Sequence, residues 1–154
     1  MTITTAPATD ITVSRTLPAD PQTIWEVLSD LSRMGELSPE NTESRWLDAQ
    51  RGVGARFKGR NRLGWLRWTT VATVTAWEPG RRFAFVTSAP SRTRWSYALE
   101  PVEGGTRVTE TVVKDDPQAA PIRLLQRLTG VSDRDASLRA GMETTLERLE
   151  RATS

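Results

Sequence analysis

The chain has 154 residues, 21 basic and 19 acidic, and contains neither cysteine nor histidine. That length suits one domain with an unstapled core. The missing residue types exclude disulfides, thiolate nucleophiles, histidine triads and zinc sites of the ordinary ligand set. A net charge of +2 gives no reason to expect nucleic acid as a partner, and no apolar run approaches the roughly 20 residues that span a bilayer.

Residues 1–10 are small and polar and read as a flexible tail, with residues 11–151 as a single domain. The tail lacks the basic-then-apolar pattern of a secretory signal. With cysteine absent, a cytoplasmic location is expected. Ile11 to Leu17 alternates apolar with polar residues and predicts a half-buried strand. Asp20-Pro21 signals a helix start, an acceptor for free amides followed by a residue that has none to lose. Ile24, Trp25, Val27 and Leu28 form that helix's apolar face. Ser29-Asp30 predicts a second short helix through Met34, ended near Gly35.

Ser38-Pro39-Glu40-Asn41 reads as a loop before a strand at Ser44 to Asp48. In the next strand, Ala55 to Arg62, Arg56, Lys58, Arg60 and Arg62 fall on one face and Phe57, Gly59 and Asn61 on the other. Leu66 to Trp77 is a long Thr/Val/Trp strand. Turn signals at Glu78-Pro79-Gly80 and Gly104-Gly105 then separate strands at Arg82–Val86, Arg94–Leu99 and Thr106–Thr111. Pro117 to Pro121 breaks the pattern, and Ile122 to Leu128 reads as a short helix stopped by Gly130. Asp133 or a neighbour starts a last helix, in which Leu138, Met142, Thr145 and Leu149 recur at helical spacing.

One strand, two short helices, about six strands and a terminal helix describe an α+β domain whose sheet can curve around that helix. With this order, several segments carry a resemblance to the START-like (SRPBCC) superfamily: Ser38-Pro39-Glu40, Gly54 to Asn61, Trp77 to Phe85, Trp95 to Pro101 and Gly104 to Glu110. More narrowly, the chain resembles its polyketide cyclase/dehydrase and lipid transport branch of the actinobacterial type. The resemblance implies a helix-grip fold, a seven-stranded curved antiparallel sheet around the C-terminal helix with an apolar cavity between them.

Six tryptophans is many for this length. Phe57, Trp68, Phe83, Phe85, Trp95 and Tyr97 fall on predicted strands and either fill the core or wall a pocket for a flat, greasy ligand. Trp25 and Trp77 read as core. Glu110 shares its phase with Val108 and Val112, which places a carboxylate on an apolar face. Buried there, it would titrate high and serve as acid, base or anchor; otherwise it pairs with an arginine or faces water. Asn61 brings an amide to the same wall as Phe57. Glu40 falls at the entrance or caps a loop. Gly141 beside Met142 either lets the last helix approach the sheet or leaves room for a ligand.

The outer Arg56, Lys58, Arg60 and Arg62 read as a solvated face or a charged edge. Asp115-Asp116 is too weak a pattern for a cation site. The expectation is a binding or carrier protein for a small hydrophobic or amphipathic molecule, lipid- or polyketide-like. Its pocket is walled by Phe57, Trp68, Trp95, Tyr97 and Met142, with Asn61 and Glu110 as polar anchors. No cofactor, metal or nucleic acid is expected, and the chain acts as a monomer or homodimer. The resemblance also implies two alternatives. One is an aromatase/cyclase-type enzyme that works by orienting its substrate, in which Glu110 and Tyr97 are the available acid–base groups. The other is a protein-interaction module.

Overall fold

A computed structural model describes residues 9–88, 92–114 and 134–154. The expectations for Asp115-Asp116, Pro117–Pro121, the Ile122–Leu128 helix and Asp133 lie outside the described residues. The first strand, β1 (Thr9–Leu17), buries Ile11, Val13 and Leu17. It starts two residues earlier than expected because Thr9 and Asp10 pair with Lys114 and Val113. Helix α1 (Pro21–Leu28) begins as its sequence dictates: the Asp20 carboxylate accepts from the Thr23 amide at 2.8 Å, and Pro21 opens the first turn. Ile24, Trp25, Val27 and Leu28 are its buried face.

The second short helix departs from expectation. Asp30 caps a 3-10 turn at Leu31–Arg33, and α2 (Met34–Leu37) follows, with Gly35 inside it rather than at its end. Gly35 is there for space: a Cβ would lie 2.6 Å from the Thr42 carbonyl oxygen. Strand β2 (Asn41–Trp46) is likewise earlier than the expected Ser44–Asp48. Asn41 is already paired with Asn61, while the Asp48 carboxylate leaves the ladder to accept from the Arg56 amide at 2.8 Å and from its guanidinium.

Strands β3 (Arg56–Leu63), β4 (Leu66–Glu78), β5 (Arg82–Thr87), β6 (Thr93–Val102) and β7 (Gly105–Lys114) follow as a run of hairpins. Together the seven form one antiparallel sheet in the order β1-β7-β6-β5-β4-β3-β2. The last helix, α3 (Arg134–Ala152), packs on β1, α1 and α2 and buries Leu138, Met142, Thr145, Leu146 and Leu149. The turn into β7 requires glycine: Gly105 has φ +146°, and a Cβ there would collide with the Leu17 carbonyl.

The cationic face of β3 points outward, as its alternation predicts, but β3 is not an edge strand; β2 is. Arg56 pairs with Asp48 at 3.1 Å and Arg60 with Glu43 at 3.6 Å, both in exposed settings worth little. No described helix is long and apolar enough to cross a membrane.

Candidate functional site

Side-chain volume is distributed unevenly over the concave face of the sheet. At the α1 end, Trp25 packs edge-on to Trp77 (ring centroids 5.0 Å apart) and to Phe83 (6.2 Å), and Trp46 meets Trp77 at 5.8 Å. Such contacts fill space to crystal-like density. The chain of rings continues through Phe85 and Phe57, 5.0 Å apart, toward Trp95, which stacks on Phe85. Beyond Phe57 and Phe85 the inward residues become small: Gly59, Ser44, Thr70, Thr87 and Thr93 from the sheet, with Gly141 and Thr145 from α3. A cavity of about 190 Å³ opens there, closed on other sides by Met34, Pro39, Trp68, Leu138 and Met142.

Glu110 lies on the wall of this cavity and is 1% exposed. It sits directly across the ladder from Tyr97, whose hydroxyl donates to Glu110 Oε1 at 2.9 Å. On the other flank its register partner is Val13 of β1. The second carboxyl oxygen, Oε2, has no hydrogen-bond partner among the described residues. Burial pushes the Glu110 carboxyl up to about 8, against the downward pull of the Tyr97 hydrogen bond. Tyr97 is driven well above its ordinary value, first by burial and then by the charge and hydrogen bond of Glu110. Both shifts favour the protonated forms of the pair.

A second polar group lies across β2, β3 and β4. Ser44 donates to Asn41 Oδ1 (3.1 Å), Asn41 Nδ2 donates to Asn61 Oδ1 (3.3 Å), and Asn61 Nδ2 donates to Thr70 Oγ1 (3.2 Å). Gly59 makes room for it, since a Cβ there would stand 3.0 Å from Asn41 Nδ2 and 3.1 Å from Thr70 Oγ1. Lys114, largely buried on the rim, is ion-paired with Asp135 in the first turn of α3.

Phe57, Asn61, Trp68, Trp95, Tyr97, Glu110 and Met142, the residues singled out in the sequence, all line this one cavity. The choice left open for the aromatics divides by position. Phe83, Trp25 and Trp77 are core, whereas Phe57, Phe85, Trp68 and Trp95 reach the cavity. Glu110 faces inward and is not turned to water, and among the described residues no arginine pairs with it. Glu40 also lines the cavity. Gly141 lines the cavity, and the nearest atom to its Cβ position is in the Pro39 ring of the loop before β2, at 3.4 Å, rather than in the sheet.

Sequence reasoning missed Asn41, Ser44, Thr70 and Lys114. Extending the Val108, Glu110, Val112 phase by one step would have found Lys114; the hydroxyl and amide residues carry no such signal, because strands use them on either face.

Residues 8–153 match the family model described as polyketide cyclase / dehydrase and lipid transport. No curated protein matches the chain significantly. Among solved structures, one similar to it is the Polyketide_cyc-like protein of Corynebacterium glutamicum, at 27% identity and TM-score 0.64, covering 96% of this chain and 92% of that one. A protein of Thermus thermophilus superimposes with TM-score 0.74 at 18% identity, over 94% and 97% of the two chains. The di-domain ARO/CYC StfQ from the steffimycin biosynthetic pathway superimposes with TM-score 0.73 at 15% identity; the match covers 96% of this chain and 51% of StfQ. These likenesses confirm the helix-grip architecture.

Proposed function

The chain belongs to the polyketide cyclase/dehydrase and lipid transport family, and from that premise we propose that it binds a small hydrophobic or amphipathic molecule in the cavity beneath α3. The observation that carries this reading is the convergence of the Phe57, Trp68, Phe85 and Trp95 rings on a cavity whose wall also holds the buried Glu110, with Oε2 unpartnered among the described residues. Apolar cavities with a small number of placed polar atoms are the usual form of a small-molecule site. Phe57, Trp68, Trp95 and Met142 supply apolar contact in this proposal, and Glu110, Tyr97 and Asn61 orient the occupant. The absence of cysteine fits a reducing cytoplasm as the compartment.

Native mass spectrometry of the purified protein, followed by denaturation, tests the proposal. A co-purified small molecule, or saturable binding of an uncharged apolar dye that Trp95→Ala abolishes, is the expected result. A protein that is always empty and binds no such dye would overturn it.

One observation favours a second reading, an enzyme of the aromatase/cyclase kind. Glu110 titrates near the range in which an acid or base works at neutral pH, and it touches Tyr97. For such an enzyme Glu110→Gln and Tyr97→Phe would abolish cyclisation of a poly-β-keto thioester without unfolding the protein. Turnover surviving both substitutions removes these residues from catalysis.

A further inference from the structure

We propose that Glu110 acts in this cavity as a hydrogen-bond donor, through Oε2–H, and so selects an uncharged ligand of about one or two rings bearing an acceptor oxygen such as a ketone, ester or ether. This rests on the binding reading above and names the chemistry of its occupant. The Tyr97 hydroxyl spends its proton on Glu110 Oε1 at 2.9 Å, so the unfilled position of the pair is Oε2. A carboxylic acid that already accepts on one oxygen presents its proton on the other. Glu110 reaches the cavity wall, and burial keeps that proton in place at neutral pH. A buried donor without a partner is costly, and an acceptor on the ligand relieves that cost.

Among the described residues, Lys114 is the cation on the cavity wall, and it is already paired. Among the described residues, the titratable groups on the wall besides Glu110 are Tyr97 of β6, Lys114 of β7 and Glu40 before β2. Lys114 is matched by Asp135 of α3, and Glu40 is engaged as well. Strand β1 offers Val13 opposite Glu110, and α3 brings Leu138, Met142 and Thr145, none of which titrates. Among the described residues a carboxylate ligand therefore finds no spare cation, and an ammonium finds no ionised carboxylate at Glu110. The volume of about 190 Å³ sits just above the roughly 150 Å³ that accommodates benzene and below the range of drug-sized pockets.

The test titrates the full chain with four matched probes, acetophenone, ethylbenzene, benzoate and benzylammonium, followed by amide chemical shifts. Near pH 6.5 acetophenone binds about tenfold tighter than ethylbenzene, the worth of one good hydrogen bond. By about pH 9.5, with Glu110 ionised, that advantage disappears. Glu110→Gln, whose amide also donates, keeps the preference and loses the pH dependence. Glu110→Leu binds both neutral probes alike.

Equal binding of acetophenone and ethylbenzene, a preference unchanged between the two pH values, or tightest binding of benzoate or benzylammonium would overturn the proposal while leaving the cavity reading intact. Failure of every probe, ethylbenzene included, would remove both. If Glu110→Gln does not fold, the wild-type pH series alone decides.

Discussion

The two ends of the concave face differ in side-chain volume and in polarity. At the α1 end Trp25, Trp46, Trp77 and Phe83 interlock edge to face. At the other end Gly59, Ser44, Thr70, Thr87, Thr93, Gly141 and Thr145 leave the same sheet and helix apart. The pocket thus arises where bulk is withheld, and polar side chains then face inward beside the aromatic ones. In the proposed reading the filled end carries stability and the hollow end carries selection.

That division can be broken most forcefully at Phe83, which is wholly buried. Phe83→Ala should cost about 3–5 kcal/mol in denaturant unfolding and leave dye affinity nearly unchanged in the folded fraction. The partly buried Trp95 is its counterpart: Trp95→Ala should cost far less stability and abolish dye binding. Equal losses of stability and of binding in both variants would erase the distinction between the ends.

Glu110 gives the next largest effect. Its folded-state value of about 8 lies above the ordinary 4.5, so the folded protein holds a proton that the unfolded chain releases. The contribution of Glu110 to stability is therefore fullest below about pH 4.5 and falls as pH rises toward about 8, by at most roughly 1.4 kcal/mol per pH unit, then levels off. Glu110→Gln should flatten this dependence and be the more stable protein at about pH 9. Parallel pH profiles for the two proteins would place the carboxyl in water instead.

Tyr97→Phe removes the donor to Glu110 Oε1 and leaves the carboxyl with no hydrogen bond, at a cost of about 1–3 kcal/mol. It should also move the fall in stability to higher pH, which a pH series of unfolding midpoints would reveal.

The smallest effect is expected at Gly141. Alanine there adds helix propensity worth up to about 1 kcal/mol, and its Cβ meets Pro39 at 3.4 Å. Gly141→Ala should thus be neutral or slightly stabilising in thermal melts, yet weaken binding by narrowing the cavity.

Much of this was legible in the residue pattern because strands alternate strictly. The phase of Val108, Glu110 and Val112 was enough to turn the carboxylate inward, and the face shared by Phe57, Gly59 and Asn61 put an amide on the cavity wall. In β4 alternation fails. A register shift between Val74 and Ala76 resets the phase, so Trp68, Thr70, Ala72 and Val74 keep one parity and Trp77, packed on Trp25, takes the other. No local signal in a Thr/Val run marks such a bulge.

Gly35 misled for a related reason. Its role is set by Thr42, seven residues away, whereas helix-stop rules look only along the chain. The Asn41–Asn61–Thr70 hydrogen-bond chain spans three strands, and its assembly follows from register rather than from composition.

The most direct test of the division between a filled and a hollow end is an amide-shift titration of the whole chain with acetophenone. Saturable shifts are expected, concentrated at Phe57, Gly59, Trp95, Tyr97, Glu110 and Met142, with Trp25, Trp77 and Phe83 unmoved. Shifts centred on the α1 end, or scattered over the surface without saturation, would contradict it.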